Sequence, residues 1–151
     1  MAITFDNLGL QFLYPENWTI TEQSQGEMYS ASVTLQSTGS ACWTVHRYPS
    51  TCSQQQLVEE LVAAMRKEYP QLEEEPYPQT VVGHSIAGVR LYFYCLDLLV
   101  SWSLLPMTVE GQVFLFECQA EDKEFDKLED VFLALATSVL GNATSAAGET
   151  L

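Results

Sequence analysis

The chain is short of positive charge. Six Lys and Arg stand against twenty Asp and Glu, giving a net charge of −14 and a pI near 4.2. That balance repels phosphate backbones and anionic lipid surfaces at long range, so nucleic acid is excluded as an expected ligand. Long apolar runs are missing as well. Asp97, Ser101, Ser103 and Pro106 interrupt the longest one, well short of the roughly 20 residues a membrane span needs, and no membrane insertion is expected. Residues 1–6 contain neither a basic segment nor an apolar core of the secretory type, which makes a cytoplasmic location the expectation. Without an export signal, Cys42, Cys52, Cys95 and Cys118 are expected to be free thiols. Also absent are a glycine-rich phosphate loop, a helical carboxylate pair and a Gly-x-Ser-x-Gly elbow, so no cofactor is expected.

What the chain does have is apolar and aromatic residues, at 47% and 11% of the total, concentrated in residues 89–118. Three runs there, 89–95, 98–104 and 113–118, are dense in aromatic and branched side chains and predict strands. Leu91, Phe93 and Cys95 share one face of the first run. Leu98, Val100, Trp102 and Leu104 share one face of the second. Tyr92, Tyr94, Leu99, Leu105, Val113 and Leu115 are assigned to the opposite face, so the sheet calls for cover on both sides.

Upstream, Leu10, Phe12 and Tyr14 alternate, residues 15–17 carry turn chemistry, and residues 18–21 resume the alternation, which predicts a hairpin. Next comes a strand with Tyr29, Ala31, Val33 and Leu35 inward and Ser30, Ser32, Thr34 and Gln36 outward. It is followed by one with Ala41, Trp43 and Val45 on one face and His46 on the other. Ser53 to Gln56 has capping-box spacing and opens a helix striped by Leu57, Val58, Leu61, Val62, Met65 and Tyr69, which Pro70 stops. Residues 73–78 read as an extended, solvated connection. Residues 80–86 read as a strand, with a turn at Ala87 and Gly88. Asp122 caps a closing helix striped by Phe125, Leu128, Phe132, Leu135 and Val139. Gly141 ends it, leaving residues 142–151 as a disordered tail after a single domain of residues 1–141. The expected fold is α+β: an antiparallel sheet with one helix on each face, an α/β/α sandwich.

Chemistry-bearing residues are few. Cys52, just before the helix cap, is the best nucleophile because a helix N-terminus favours the thiolate, yet no local signature supplies its base. Cys42, His46 and Cys52 lack the tight spacing and the fourth ligand of a structural zinc site, so no metal is expected. His46 and His84 read as surface or hydrogen-bonded histidines. Glu73, Glu74 and Glu75 read as a solvated run, and Cys95 and Cys118 as small core residues.

Residues 8–18, the first helix ending in Tyr69, residues 83–88 and the close at Ser138, Val139 and Leu140 together resemble the PsbP and Mog-like superfamily. The resemblance spans residues 5–140 and includes many bacterial domains of unknown function. It implies the same α/β/α architecture and a protein-binding adaptor rather than an enzyme, with no ligand residue to carry over. The expected role is a non-enzymatic interaction domain. The alternatives are a thiol enzyme centred on Cys52 and a carrier of a small apolar ligand lined by Trp43, Trp102 and tyrosines. If two helices leave part of a large sheet bare, a patch at Leu99, Trp102, Leu105, Val113 and Leu115 is the expected surface for a protein partner or a homodimer.

Overall fold

The computed structural model describes residues 1–24 and 30–149. Strands β1 (Ala2–Asn7) and β2 (Leu10–Pro15) form a two-stranded ribbon. A seven-stranded antiparallel sheet contains β3 (Thr19–Ser24), β4 (Ala31–Gln36), β5 (Cys42–Pro49), β6 (Glu73–Val81), β7 (His84–Cys95), β8 (Leu98–Val109) and β9 (Gln112–Glu121). Its order is β3-β4-β5-β9-β8-β7-β6. Helix α1 (Gln54–Glu68) lies between β5 and β6, and α2 (Asp122–Glu149) closes the chain.

Tight turns explain where sequence expectation and structure part. Four hairpins turn on two residues that both have positive φ: Leu8-Gly9, Val82-Gly83, Leu96-Asp97 and Glu110-Gly111. This is the combination that matches the twist of paired strands. The first of these turns pairs β2 with β1, Phe5 opposite Phe12, so the expected hairpin between residues 10–14 and 18–21 does not form. Trp18 donates its amide to Pro15 O at 3.1 Å, and the chain then leaves to become the edge strand β3 against β4. The second turn lies at Val82-Gly83 rather than at Ala87 and Gly88, which sit inside β7. Residues 73–78 are therefore not a solvated connection but most of β6, paired from Glu73 opposite Tyr92 to Val81 opposite His84. Pro76 and Pro78 fit there because an edge strand has one side that needs no amide donor, and prolines and carboxylates on it discourage edge-to-edge pairing.

Gly88 is required by packing. A Cβ at this position would lie 2.4 Å from Leu105 Cδ2 and 2.6 Å from the Tyr77 carbonyl oxygen of the paired strand. The leucine tip can move, but the carbonyl belongs to the ladder. Gly88→Ala is expected to cost about 1–3 kcal/mol through overpacking, read as a lowered melting temperature. An unchanged melting temperature would contradict the close approach.

Alternate residues of the sheet go to two separate cores. Leu105, Phe114, Phe116 and Cys118 pack with Trp43, Val33 and Leu35, with the β1–β2 ribbon, and with Phe125, Phe132, Leu135 and Val139 of α2. Leu91, Phe93, Trp102, Leu104 and Leu115 pack with Val62 of α1, flanked by Val58, Leu61 and Met65. Leu115 therefore belongs with Leu104, not with Leu105 as its sequence pattern suggested. The register puts Leu105 opposite Phe116, and a one-residue offset reverses the face. Val113, on the same strand parity as Leu115, moves with it. Tyr29 lies outside the described residues.

Ser53 caps α1, accepting from the Gln56 amide at 3.3 Å, while the Gln56 side chain reaches forward to Glu60 instead of back to the cap. The α1 stripe is mostly half-buried, with Val62 alone buried. Helix α2 does not stop at Gly141 but runs on to Glu149. A glycine inside a helix costs only about 1 kcal/mol. Against it, Asn142 donates to Gln11 O at 2.8 Å and Ala143 packs on the core.

Candidate functional site

The residues expected to form a partner surface are not on the surface. Trp102, Leu105, Val113 and Leu115 are buried and Leu99 is half-buried. Four of the five therefore cannot meet a partner while the fold is intact. Leu105 belongs to the core that includes Phe125 and Phe132 of α2, and Trp102 and Leu115 to the one that includes Val62 of α1. Trp43 and Trp102 likewise sit in opposite cores and line no common cavity.

His46 is committed. Its Nδ1 lies 2.6 Å from Ser32 Oγ, and its Nε2 meets the Glu117 carboxylate. Its ring stacks on Tyr48 at 5.9 Å. With both nitrogens engaged, His46 is not the missing base for Cys52, nor a ready ligand beside Cys42. No metal-holding cluster of His, Cys, Asp and Glu occurs among the described residues. The Ser32-His46-Glu117 chain has the connectivity of a proton relay, with Glu117 able to fix the Nε2–H tautomer so that Ser32 donates to Nδ1. Its surroundings argue for structure. β4 is paired on both sides, to β3 and to β5, so the amides next to Ser32 are used by the ladder and none is free to serve as an oxyanion hole. The adjacent Thr34 and Thr44 hydroxyls bond each other at 3.0 Å. This polar network finishes the part of the sheet face beyond α1.

The thiols are ordered by burial. Burial pushes Cys118 up from its ordinary 9.0 to about 12, and burial also raises Cys42. Between pH 9 and 12 the unfolded chain releases the Cys118 proton while the folded chain keeps it, so this group lowers stability as pH rises through that window. Because the thiolate is the reactive form, the raised pKa together with burial makes Cys118 much less reactive than an exposed thiol at pH 8. A colorimetric thiol titration of native protein should leave Cys118 unmodified until denaturant is added. Modification of all four cysteines at one rate would contradict the burial.

A groove lies at the C-terminal end of α1. The Tyr69 amide donates to Met65 O at 2.7 Å, Pro70 prevents a further helical turn, and the Leu72 amide returns to Tyr69 O at 3.0 Å. Leu72 plugs the core and β6 begins at Glu73, opposite Tyr92. β7 continues to Cys95, so among the described residues no strand pairs with the outer edge of Phe93, Tyr94 and Cys95. Residues 68–73 and Tyr92, Phe93, Tyr94 and Leu99 enclose a volume of about 670 Å³. Tyr69 packs on Phe93 at 4.4 Å and donates its hydroxyl to Cys95 Sγ at 3.6 Å, a bond that raises the phenol's pKa. Burial and a 2.5 Å hydrogen bond to Glu75 push Tyr92 up to about 12, so both phenols are neutral donors at physiological pH. Beside the groove the β7–β8 turn projects Leu96, 92% exposed, flanked by Tyr94 at 69% and Leu98 at 52%.

Of the expected partner-surface residues only Leu99 lines this groove, because its parts come from residues 68–73 and 92–99, joined only by the strand register. One signal was present. Leu96-Asp97 is the only one of the four two-residue turns without glycine, although both residues adopt positive φ, at 50° and 67°. Leu8 and Val82 share the left-handed conformation of Leu96, so what sets this turn apart is Asp97 at the position where the other three have glycine.

No protein-family model matches the chain, and no curated protein matches it. Solved structures do. Cyanobacterial PsbP from Synechocystis sp. PCC 6803 is similar with a TM-score of 0.62 and 12% identity, covering 91% of this chain and 90% of that one. A Bacteroides thetaiotaomicron VPI-5482 structure is similar with a TM-score of 0.58 and 11% identity, covering 89% of this chain and 46% of that one. The protein of unknown function PA94 from Pseudomonas aeruginosa is similar with a TM-score of 0.51 and 9% identity, covering 91% and 95%. At these identities the likeness is one of fold: an antiparallel sheet with two helices, of the PsbP-like kind.

Proposed function

We propose that this chain is a non-enzymatic protein-interaction domain, a bacterial relative of the PsbP and Mog-like group. In this reading the fold is an α/β/α sandwich with a helix on each face, and it presents the groove at the end of α1 to a partner. The observation that carries the reading is the β7–β8 tip, where Tyr94, Leu96 and Leu98 hold apolar surface in water beside a concave, aromatic-lined wall. Leaving a leucine exposed forgoes roughly 1.5–3 kcal/mol of burial, and its positive φ adds strain. A partner that covers the tip recovers the first of these. Similarity to PsbP-like structures supports the framework, and the engagement of both His46 nitrogens weighs against the thiol-enzyme alternative.

The test is selection of a random peptide library on the folded protein, with counter-selection on a Leu96→Asp/Leu98→Asp variant of equal stability. Peptides that bind the parent and not the variant are expected. If every recovered binder holds both proteins equally, the tip is not the site.

A further inference from the structure

The electrostatics of the groove name the chemistry of its occupant. Its lining includes the carboxylates of Glu68 and Glu73 and no Lys or Arg, while Asp97 stands at the tip. Two guanidiniums lie near the groove, and both are engaged: Arg66 by Glu74 at 2.9 Å and by Leu72 O at 3.4 Å, and Arg90, 5.0 Å over the Tyr92 ring, by Asp122 and Asp126. With no ion pair to Glu68 or Glu73 among the described residues, acids beside an apolar, aromatic floor favour a cation carried on an apolar stem, since such a side chain buries its methylenes while its charge meets carboxylate and π-surface together. The free outer edge of β7 at Phe93 to Cys95 favours an extended backbone, because a strand laid there continues the line of β6 beyond Glu73.

We infer that the occupant is an extended segment of a partner protein in which Lys or Arg alternates with large apolar residues. Its cations lie between Glu68 and Glu73, and its apolar side chains lie on Tyr94 and Leu96. This rests on the proposed interaction role and specifies the partner's chemistry. The acidity of the whole chain, at −14, gives long-range attraction to such a segment, while the groove decides where it docks.

The probe is a fluorescein-labelled twelve-residue peptide alternating Leu and Lys, with a Leu/Glu peptide and a Leu/Gln peptide as comparisons, followed by anisotropy. The Leu/Lys peptide is expected to bind. Glu68→Gln/Glu73→Gln should weaken it at least tenfold at low salt, with the difference shrinking in 0.5 M salt. Glu110→Gln/Asp130→Asn removes the same charge at the far end of the sheet and on α2, and should leave affinity within twofold. Equal weakening by both pairs would reduce the attraction to bulk charge and overturn the inference. Binding of the Leu/Gln peptide as tight as that of Leu/Lys, lost in Leu96→Asp/Leu98→Asp, would overturn the cationic occupant and leave the interaction site standing. If no peptide binds and the tip substitutions change nothing, both fall.

Discussion

Arg90→Ala is expected to destabilise the protein by about 3 kcal/mol, at the lower end of what removing one partner of a buried ion pair costs. Arg90 is 7% exposed and reaches from β7 to the start of α2. Its Nη2 lies 3.1 Å from Ser101 Oγ, 3.3 Å from Asp122 and 3.2 Å from Asp126, and Nη1 is 3.9 Å from Glu129. The guanidinium also stands 4.0 Å over the Phe125 ring and 5.0 Å over Tyr92. Truncation removes that stacking and leaves three carboxylates on the first turns of α2 facing one another without a counter-charge. Asp126 is largely exposed and Asp122 and Glu129 partly so, and water relieves part of the repulsion, which keeps the estimate at the low end. Arg90→Lys should recover only a fraction, because a point charge cannot fork to the carboxylates and stack on the ring at once. Equilibrium urea unfolding measures both. A change below about 0.5 kcal/mol for Arg90→Ala, the range of ordinary surface substitutions, would show that α2 is held by its apolar stripe alone.

Phe132→Asp should have the larger effect and leave the chain unfolded at 25 °C. Phe132 is 2% exposed, with Phe125 at 5.4 Å and Trp18 at 6.4 Å between ring centroids. The substitution combines the loss of an aromatic side chain, about 3–5 kcal/mol, with a carboxylate that has no partner in that cavity. A total native stability of about 5–15 kcal/mol leaves little margin. Leu61→Asp on α1 should be milder, since Leu61 is only partly buried and can turn its carboxylate toward solvent. Far-ultraviolet circular dichroism separates them: loss of the folded spectrum for Phe132→Asp, retention with a lowered melting temperature for Leu61→Asp. A folded Phe132→Asp protein would mean that α2 docks by some other face.

These two substitutions also mark how far the sequence was legible. The α2 stripe was readable because a long helix repeats its three-or-four spacing four times from Phe125 to Val139, and Phe125, Phe132, Leu135 and Val139 are all buried. Arg90 was not, because its carboxylate partners lie more than 30 residues downstream on another element and nothing local distinguishes a clamped arginine from a solvated one. The alternation in β4 and β5 was clear, since Ser32, Thr34, Thr44 and His46 share a half-covered polar face. In β7 to β9 both faces are apolar, so periodicity could not fix the register and Leu115 fell on the wrong side. Residues 73–78 misled for a related reason: prolines and glutamates argue against a central strand, but they suit an edge. The groove was invisible because a strand edge left bare by three residues is a property of pairing, not of any segment.

In the proposed function the α1 end and the β7–β8 tip form the binding surface. Amide chemical-shift mapping of the isotope-labelled protein, titrated with a peptide selected as above, tests it most directly. Shifts are expected to concentrate at residues 68–73 and 92–99 and to stay small around Ser32, His46 and Glu117. Shifts centred on that polar sheet face or on the β1–β2 ribbon, with the groove unmoved, would contradict it.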